Sequence, residues 1–316
     1  MNAIQAVLYL TPFVILNFFK CLFLRIFSIP IKEKKSIDSD TILITGAGSG
    51  VGRSLAVQFS KHSTSLVLLD INTNSLLETK KLVNQKSKVF IYKCDVSARK
   101  SVYEVAERIK KEVGKVDILV NNAGIVFGKP FMELTDEQIL KTMQVNALGH
   151  FWMCKAFLPS MMEWNKGHIV SIVSIAGVFG GPKLTDYCAS KFAALGFAES
   201  LELELKEQGL DGIKITTICP SLITTGLFEG ADVKSMHTAL TPDYAAQQIV
   251  NAVLEDEEFL FLPRSFYFMF LLKGLVPHYI GVRFYELTGF IKSMNTFKGR
   301  ITFNNNLPSK QEAKEK

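Results

Sequence analysis

The feature that most constrains this fold is a glycine-rich turn between an apolar strand and a helix. Residues 41–45 form a short apolar run, glycine-rich residues 46–52 follow, and apolar side chains then recur at helical spacing at Leu55 and Phe59. Such a turn lets backbone amides at a helix start point at a closely bound diphosphate. It predicts a phosphate-binding turn, although structural loops also use glycine. The residues predicted to contact the phosphates are Gly46, Ser49, Gly50, Val51 and Gly52.

A second apolar run, residues 65–70, ends in Asp70 about twenty residues after the turn. An acid at this position can accept hydrogen bonds from the adenosine ribose hydroxyls of a dinucleotide, and its charge would repel a 2′-phosphate. The position therefore favours NAD over NADP as the cofactor. Two alternatives stay open, because Asp70 could instead cap the following turn with Asn72, and Arg53 could accept a phosphate.

Strand-like and helix-like segments alternate along the rest of the chain. Apolar runs at 89–97, 116–124 and 213–220 are separated by helical stretches, a pattern that indicates a parallel sheet covered by helices on both faces. The chain has 316 residues, 48% of them hydrophobic, which suffices for one such core and an appendage. We predict the α/β class, with a three-layer, Rossmann-type, doubly wound parallel sheet and an N-terminal membrane-anchor helix.

The amino-terminal segment is predicted to be a membrane anchor. Residues 3–29 are almost continuously apolar, and Lys20 and Arg25 are their only charges. The charge follows the apolar stretch and bulky residues fill its exit, the reverse of a cleaved signal peptide. The stretch before Lys20 is at the short limit of the roughly 17–25 residues that span a bilayer, so a tilted span, a hairpin in one leaflet and a buried soluble helix stay open. If the segment spans, the charge behind it places the body on the cytoplasmic side.

The charge and cysteine patterns narrow the choice of partners. The net charge of +6 gathers behind the apolar leader and in the tail, so we expect a membrane surface and no nucleic acid as partner. The five cysteines lack metal-ligand spacing and predict neither disulfides nor a metal site. The predicted divisions are a hydrophobic anchor (1–30), a charged linker (31–40), a folded domain with an apolar carboxyl-terminal segment (41–291) and a polar tail (292–316).

Five motifs follow one another over residues 40–260, namely TGAGSGVG (45–52), Asp95, NNAG (121–124), Ser174 and YCASK (187–191). In order and spacing they resemble the short-chain dehydrogenase/reductase family. The apolar leader, LITGAGSGVGR and LLDIN also resemble its branch of membrane-bound retinol dehydrogenases and 17-beta-hydroxysteroid dehydrogenases, which are found at the endoplasmic reticulum and lipid droplets.

This resemblance implies an NAD-dependent oxidoreductase that interconverts a lipophilic alcohol, retinol-like or steroid-like, and its carbonyl by hydride transfer. It also implies a homodimer at the endoplasmic reticulum membrane or a lipid droplet. Two rival functions stay open. One is an NADPH-dependent reductase of a membrane lipid ketone, and the other is a non-catalytic membrane or lipid-droplet scaffold.

Tyr187 and Lys191 lie four residues apart and therefore on one face of a predicted helix. A free tyrosine has a pKa of ~10. A nearby ammonium and the positive charge of a nicotinamide would both favour the phenolate and lower the pKa of the phenol enough for general acid and base work. Ser174 ends the predicted strand 168–174, where its hydroxyl could stabilise a substrate oxygen. Ser171 is the rival serine, but its spacing to Tyr187 does not fit the family pattern. In isolation, the Tyr187–Lys191 pair would be an ordinary surface pair.

The resemblance assigns further roles. Asn146 would hold a water that links Lys191 to solvent, or would be a buried helix asparagine that satisfies backbone groups. Ser221 stands where the family usually has glycine, so the family's loop conformation does not carry over directly to the loop that holds Thr225. His150 and His168 are expected to be structural. The remaining implied cofactor contacts are Asp95, Val96, Asn122, Ala123, Gly124, Tyr187, Lys191, Pro220 and Thr225.

Three carboxyl-terminal features complete the prediction. The helix from Asp186 carries an apolar stripe that could form a homodimer interface or pack within one subunit. Residues 221–240 contain glycines suited to a moving lid. Residues 259–290 are rich in aromatic and aliphatic side chains and could line a substrate mouth, dip into a bilayer or pack as a core helix. The stripe consists of Phe192, Leu195, Leu201 and Leu205.

Overall fold

The computed structural model describes residues 33–63, 65–232 and 239–299. The expected anchor, residues 1–30, lies outside these ranges. Within them, no helix is both long enough and apolar enough to cross a bilayer.

A seven-stranded sheet organises the described chain. The strands are β1 (Thr41–Thr45), β2 (Ser65–Asp70), β3 (Lys88–Lys93), β4 (Ile118–Asn121), β5 (Gly167–Ile172), β6 (Ile213–Pro220) and β7 (Phe259–Leu262). They lie in the order β3-β2-β1-β4-β5-β6-β7, and every neighbouring pair is parallel. All carboxyl ends therefore lie at one edge, and the order reverses between β1 and β4, where open sheets form a crevice. The predicted doubly wound parallel sheet is confirmed.

Helices cover both faces of this sheet. They are α1 (Gly50–Phe59), α2 (Thr73–Leu82), α3 (Arg99–Glu112), α4 (Asp136–Met143), α5 (Gly149–Glu163), α6 (Thr185–Glu207), α7 (Pro242–Leu254), α8 (Phe266–Leu275) and α9 (His278–Leu287). Leu55 and Ile249 pack in the core on the α1 and α7 side, while Val102, Met153 and Ala198 pack on the α3, α5 and α6 side. Successive side chains along the strands point alternately into the two cores, as expected for a sheet covered on both faces.

Three strands end earlier than predicted. The apolar runs pointed to strands reaching residues 97, 124 and 174, whereas β3, β4 and β5 end at Lys93, Asn121 and Ile172. The loops that follow are buried like strands, since Val173 is 2% exposed. Ser174 therefore does not end a strand. It begins a single 3-10 turn, where its hydroxyl oxygen accepts a hydrogen bond from the Ala176 amide at 3.1 Å.

The carboxyl-terminal helices α8 and α9 lie largely at the surface. Tyr267 is their only buried residue. Leu275 is 71% exposed and Leu287 is 88% exposed, so these helices do not pack as core helices. Lys273 fixes α8 to the body through the Val178 carbonyl.

The packed body extends past both predicted boundaries of the domain. Before Thr41, Ile37 is 1% exposed and belongs to the core. After residue 291, Met294 is 2% exposed and packs in the same cluster as Tyr187. Residues 293–299 thus form a strap across the loop after β6.

Backbone hydrogen bonds hold this strap to residues 229–232. The Asp232 amide donates to the Ser293 carbonyl at 2.7 Å, and the Lys298 and Gly299 amides donate to the Glu229 carbonyl at 2.8 and 3.1 Å. The ring of Phe297 lies against Gly128, where an added Cβ would be 2.3 Å from Phe297 Cε1. The strap and the loop therefore form one packed layer over the carboxyl edge of the sheet.

Candidate active site

A cleft of about 210 Å³ opens at the carboxyl edge of the sheet. It lies where open α/β sheets bind ligands. The predicted site residues that line it are Gly46, Ser49, Gly50, Val51, Asp70, Asp95, Val96, Asn122, Ala123, Gly124, Ser174, Tyr187, Lys191, Pro220 and Thr225. Gly52 and Asn146 do not line it.

The glycine turn fits a closely bound diphosphate. Gly46 and Gly50 adopt the left-handed backbone conformation, with φ of +64° and +54°, which favours glycine. Gly52 has another role than the predicted contact, because its added Cβ would lie 2.2 Å from the Gly46 carbonyl oxygen. Its small size lets α1 start against the turn. Thr225 faces Gly50 across the cleft, since an added Cβ there would be 3.1 Å from Thr225 Cβ.

Asp70 has both carboxylate oxygens fixed by backbone amides. Oδ2 accepts from Gly48 at 2.9 Å and Oδ1 accepts from Asn72 at 3.0 Å. The carboxylate thus caps the following turn, as the alternative proposed, and also faces the cleft. Arg53 is engaged elsewhere, because it donates to the Gly48 carbonyl at 2.6 Å and pairs with Glu78 at 2.8 Å.

The floor of the cleft rests on Thr45, which begins the motif TGAGSGVG but was not among the predicted site residues. Thr45 accepts hydrogen bonds through Oγ1 from the amides of Asn122 and Ala123, at 2.9 and 3.0 Å. Lys141, on α4, also lines the cleft and pairs with Asp95 at 3.1 Å. The threonine directly before the glycine turn is a local signal that could have been used. Nothing near Lys141 in the sequence points to the cleft.

Ser174, Tyr187 and Lys191 come together at the end of β5. Lys191 Nζ donates to the Ile172 carbonyl at 2.9 Å and lies 5.9 Å from the centroid of the Tyr187 ring. The Ser174 hydroxyl is within hydrogen-bonding reach of the phenol. The rival Ser171 lies within β5, fully buried, and does not line the cleft.

Burial governs the ionisation of this pair. Burial raises the pKa of the Tyr187 phenol above its usual value, although the hydrogen bond with Ser174 acts to lower it. Burial also lowers the pKa of Lys191 to about 8. We expected the ammonium to lower the pKa of the phenol. In the chain alone the loss of water outweighs that effect, because the hydrogen bond of Nζ goes to Ile172 and not to the phenol.

Asn146 lies in a wide π-type turn, Gln144–Leu148, between α4 and α5. Its Oδ1 accepts from the Ile125 amide at 2.8 Å, and its Nδ2 donates to the Ile125 carbonyl at 2.9 Å and to Ser190 Oγ at 3.0 Å. These bonds tie the loop after β4 to α6. The side chain therefore satisfies backbone groups, as the alternative interpretation proposed, and the water relay stays a prediction.

A second cavity of about 50 Å³ adjoins the first at Ser174. Its walls are apolar, and Phe228 packs edge-on against the Tyr187 ring at a centroid distance of 5.5 Å. No motif pointed to these residues. Leu222 and Phe228 fall within the predicted lid and Phe290 within the apolar segment, whereas the other apolar lining residues fall between Ser174 and Tyr187. The principal apolar lining residues are Ile175, Phe179, Leu184, Leu222, Phe228 and Phe290.

This sheet order, together with a tyrosine and a lysine one helical turn apart at its carboxyl edge, defines a class of oxidoreductase. The family model described as short chain dehydrogenase matches residues 40–235. The chain belongs to the short-chain dehydrogenase family, and it is an NAD(P)-dependent alcohol dehydrogenase or reductase with a nicotinamide cofactor.

Individual relatives refine this assignment. The chain is 45% identical over 270 residues to short-chain dehydrogenase/reductase family 16C member 6 of Bos taurus, covering 84% of this chain and 85% of that protein. It is 43% identical over 279 residues to epidermal retinol dehydrogenase 2 of Mus musculus, covering 87% and 90%. The crystal structure of a family member from Burkholderia phymatum in complex with NAD superposes with a TM-score of 0.69 at 25% identity, covering 75% and 94%. The resemblance to the retinol dehydrogenase branch is confirmed.

Proposed function

We propose that this protein interconverts a retinol-like alcohol and its carbonyl, using NAD. The observation that carries the proposal is the junction of the two cavities. Ser174 lines both the cleft suited to a dinucleotide and the cavity with apolar walls, and Tyr187 lines the cleft together with it. A polar reacting group could lie at this junction while the neighbouring part of an apolar body enters the second cavity. The names of the similar retinol dehydrogenases support the same substrate class.

The chain supplies the proton transfer and the orientation. In the oxidative direction Tyr187 takes the proton of the substrate hydroxyl, and in the reductive direction it returns that proton. Ser174 donates a hydrogen bond to the substrate oxygen, which stabilises the charge that develops there. Lys191 places a positive charge beside the phenol and favours its ionised form. A bound nicotinamide supplies the hydride acceptor or donor.

NAD is proposed over NADP because of the charges around the adenosine end of the cleft. The Asp70 carboxylate faces the position of the ribose and would repel a 2′-phosphate. Arg53 is the residue that could offset this repulsion, but it is paired with Glu78 and bonded to the Gly48 carbonyl. It does not line the cleft.

Membrane association is part of the proposal and is supported by α8 and α9. Phe268, Tyr279 and Leu287 are 54%, 68% and 88% exposed on these helices. Exposed apolar surface of this extent marks an interaction site, and Arg283 lies among these side chains, as in interfacial helices. Phe290, directly after α9, lines the second cavity, so a substrate dissolved in a bilayer would have a short path to Ser174.

The homodimer stays a prediction. The stripe on α6 is divided, since Leu195 and Leu205 are buried within the chain while Phe192 is 42% exposed. A homodimer through α6 would therefore use only part of that stripe. The endoplasmic reticulum and lipid-droplet locations likewise stay predictions, as do steroid-like substrates.

The test is turnover by the purified full-length chain in detergent. Retinoids, steroids and long-chain alcohols would be supplied with NAD, and the matching carbonyls with NADH or NADPH. We expect retinol oxidation with NAD to have the highest kcat/KM. A preference for NADPH with a lipid ketone would replace this function by a reductase, and the absence of turnover on every substrate would favour a scaffold.

A further inference from the structure

A group of buried polar atoms lies behind Lys191 without partners among the described residues. Both ring nitrogens of His150, Oδ1 of Asn121 and Oγ of Ser171 have no hydrogen-bond partner there. Their residues are 2% exposed or less. Buried polar groups are nearly always hydrogen-bonded to protein or to an ordered water, so this group points to a ligand that can both donate and accept.

The three side chains face the same layer, between the sheet and α5. Asn121 and Ser171 are register partners on neighbouring strands, so their side chains point to the same face. Asn121 Nδ2 lies 3.6 Å from Cys154 Sγ on α5, and His150 precedes Cys154 by one helical turn. We call His150, Asn121 and Ser171 the His150 cluster.

The His150 cluster lies beside the ammonium of Lys191. Ser171 directly precedes Ile172, whose carbonyl accepts the single hydrogen bond that Lys191 Nζ makes among the described residues. His150 follows Asn146 by one turn, and Asn146 contacts Ser190, the neighbour of Lys191. Burial, and then the charge of Lys191, lower the pKa of His150 to about 3. The imidazole is therefore neutral at physiological pH and can accept a hydrogen bond.

We propose that the His150 cluster holds water against Lys191 and that His150, through this water, keeps the ammonium charged. The inference rests on the proposed function, in which this charge favours the phenolate. His150 is a positioning residue, since it acts through Lys191 and touches neither cofactor nor substrate. The cluster offers four polar atoms without partners among the described residues, and a buried water needs about two to four such partners.

Few other groups in this region change charge with pH. Lys191 and Tyr187 face the site from α6, Cys154 from α5 and Cys219 from β6. Burial raises the pKa of each of these two thiols to about 12, so both stay neutral. The charge of Lys191 and that of Tyr187 are then the two that respond to the loss of His150.

Loss of His150 should shift the pH dependence of oxidation to higher pH. Without His150 the ammonium loses an acceptor, and the pKa of Lys191 falls further. The phenolate then loses its counter-charge at a lower pH, so oxidation needs a higher pH to reach the same rate. We expect His150→Phe to shift the rising limb of the kcat–pH profile to higher pH by about one unit. At a given pH on that limb, kcat is then about tenfold lower than in wild type.

The experiment measures kcat against pH for wild type, His150→Phe, His150→Gln and Ser171→Ala, on whichever alcohol the wild type oxidises. His150→Gln keeps a polar group and should shift the limb less than His150→Phe. The matched control is His168→Gln, another histidine buried in the fold. Its ring nitrogens have partners in Lys35 and Thr216 at 2.9 and 2.8 Å, so this variant should lower Tm without shifting the limb.

The outcomes separate the inference from the substrate assignment. A folded His150→Phe with an unshifted limb overturns the inference, as does an equal shift in His168→Gln. If His150→Phe does not fold, an unshifted limb in both His150→Gln and Ser171→Ala overturns it. Ultraviolet difference titration of the phenol with NAD bound, each variant against its Tyr187→Phe counterpart, needs no substrate. It tests the same shift even if retinol proves to be the wrong alcohol.

Discussion

The glycine turn and the helices α8 and α9 form two surfaces that differ in the interactions they offer. The turn offers directional hydrogen bonds, and the helices offer exposed apolar area. At the turn, backbone groups and side chains are fixed by directional bonds, as when both oxygens of Asp70 accept amide hydrogens. On α8 and α9, large apolar side chains such as Leu275 and Leu287 stand exposed. The first surface selects one ligand of fixed shape and charge. The second provides apolar area, which associates with any apolar phase and sets no orientation.

This difference separates the residues that determine catalysis from those that determine where the protein resides. Substitutions near the turn or the phenol should change catalysis and cofactor choice in any solvent. Substitutions on α8 and α9 should change where the protein resides while leaving catalysis in detergent intact.

The largest expected effect is that of Tyr187→Phe. The phenol is the proposed acid and base, and its removal should lower kcat by about 10²–10⁴-fold, measured as NADH formation in detergent. KM for NAD and the unfolding temperature should change little, because the ring and its contact with Phe228 remain. Retention of full activity would remove the proposed chemistry altogether.

Gly52→Ala should come next in size. Its Cβ would lie 2.2 Å from the Gly46 carbonyl oxygen, so α1 must move away from the turn, at a cost of about 1–3 kcal/mol in the free energy of unfolding. Thermal unfolding and fluorescence titration with NADH would show lower stability and weaker binding. Gly196→Ala is the control, since no atom lies within 4 Å of an added Cβ there. An equal loss in both variants would contradict the packing role of Gly52.

Asp70→Ala should weaken the preference for NAD by roughly 10–100-fold in kcat/KM, the size expected when hydrogen bonds to a charged group are lost. The ratio of rates with NAD and NADP measures this preference. Part of the effect will come from the turn itself, because Asp70 also holds Gly48. Asp70→Asn keeps acceptor capacity without the charge, so it separates the contribution of repulsion from that of the turn.

The pH dependence should be moderate and opposite for the two directions. Because burial raises the pKa of Tyr187, the phenol is protonated at neutral pH, so oxidation should accelerate as pH rises and reduction should be favoured as pH falls. Lys191 supports the phenolate fully below its pKa of about 8, and above that value the support declines. Initial rates in both directions between pH 6 and pH 10 would check this, and an oxidation rate that falls steadily with pH would contradict it.

The smallest effect on catalysis should follow from Leu275→Ser combined with Leu287→Ser. Both side chains are exposed, so kcat in detergent should stay within about twofold of wild type and stability should change by less than about 0.5 kcal/mol. Flotation with vesicles should decrease. The matched control is Leu203→Ser on α6, which is 68% exposed on another surface and should leave flotation unchanged.

The sequence predicted those parts of the fold and site that depend on local pattern. The bounds of β1, β2 and β6 match their apolar runs, and the predicted site residues other than Gly52 and Asn146 line one cleft. The burial of segments outside the strands could not be predicted in this way. Val173 lies in the loop after β5 but is as apolar as a strand residue, so the sequence does not distinguish the two. The rise in the pKa of Tyr187 on burial could not be predicted for the same reason, because desolvation depends on residues distant in sequence. Phe290 reached the site through tertiary packing alone.

Gly128 affects how natural variants of this protein should be classified. It has a φ of +64°, and any side chain would meet the ring of Phe297 at 2.3 Å, while Phe297 packs against Phe228 and Phe228 against Tyr187. A missense change at this glycine would disturb a chain of aromatic rings that ends at the phenol. Such a change should be scored as an active-site mutation, although none of the motifs includes it.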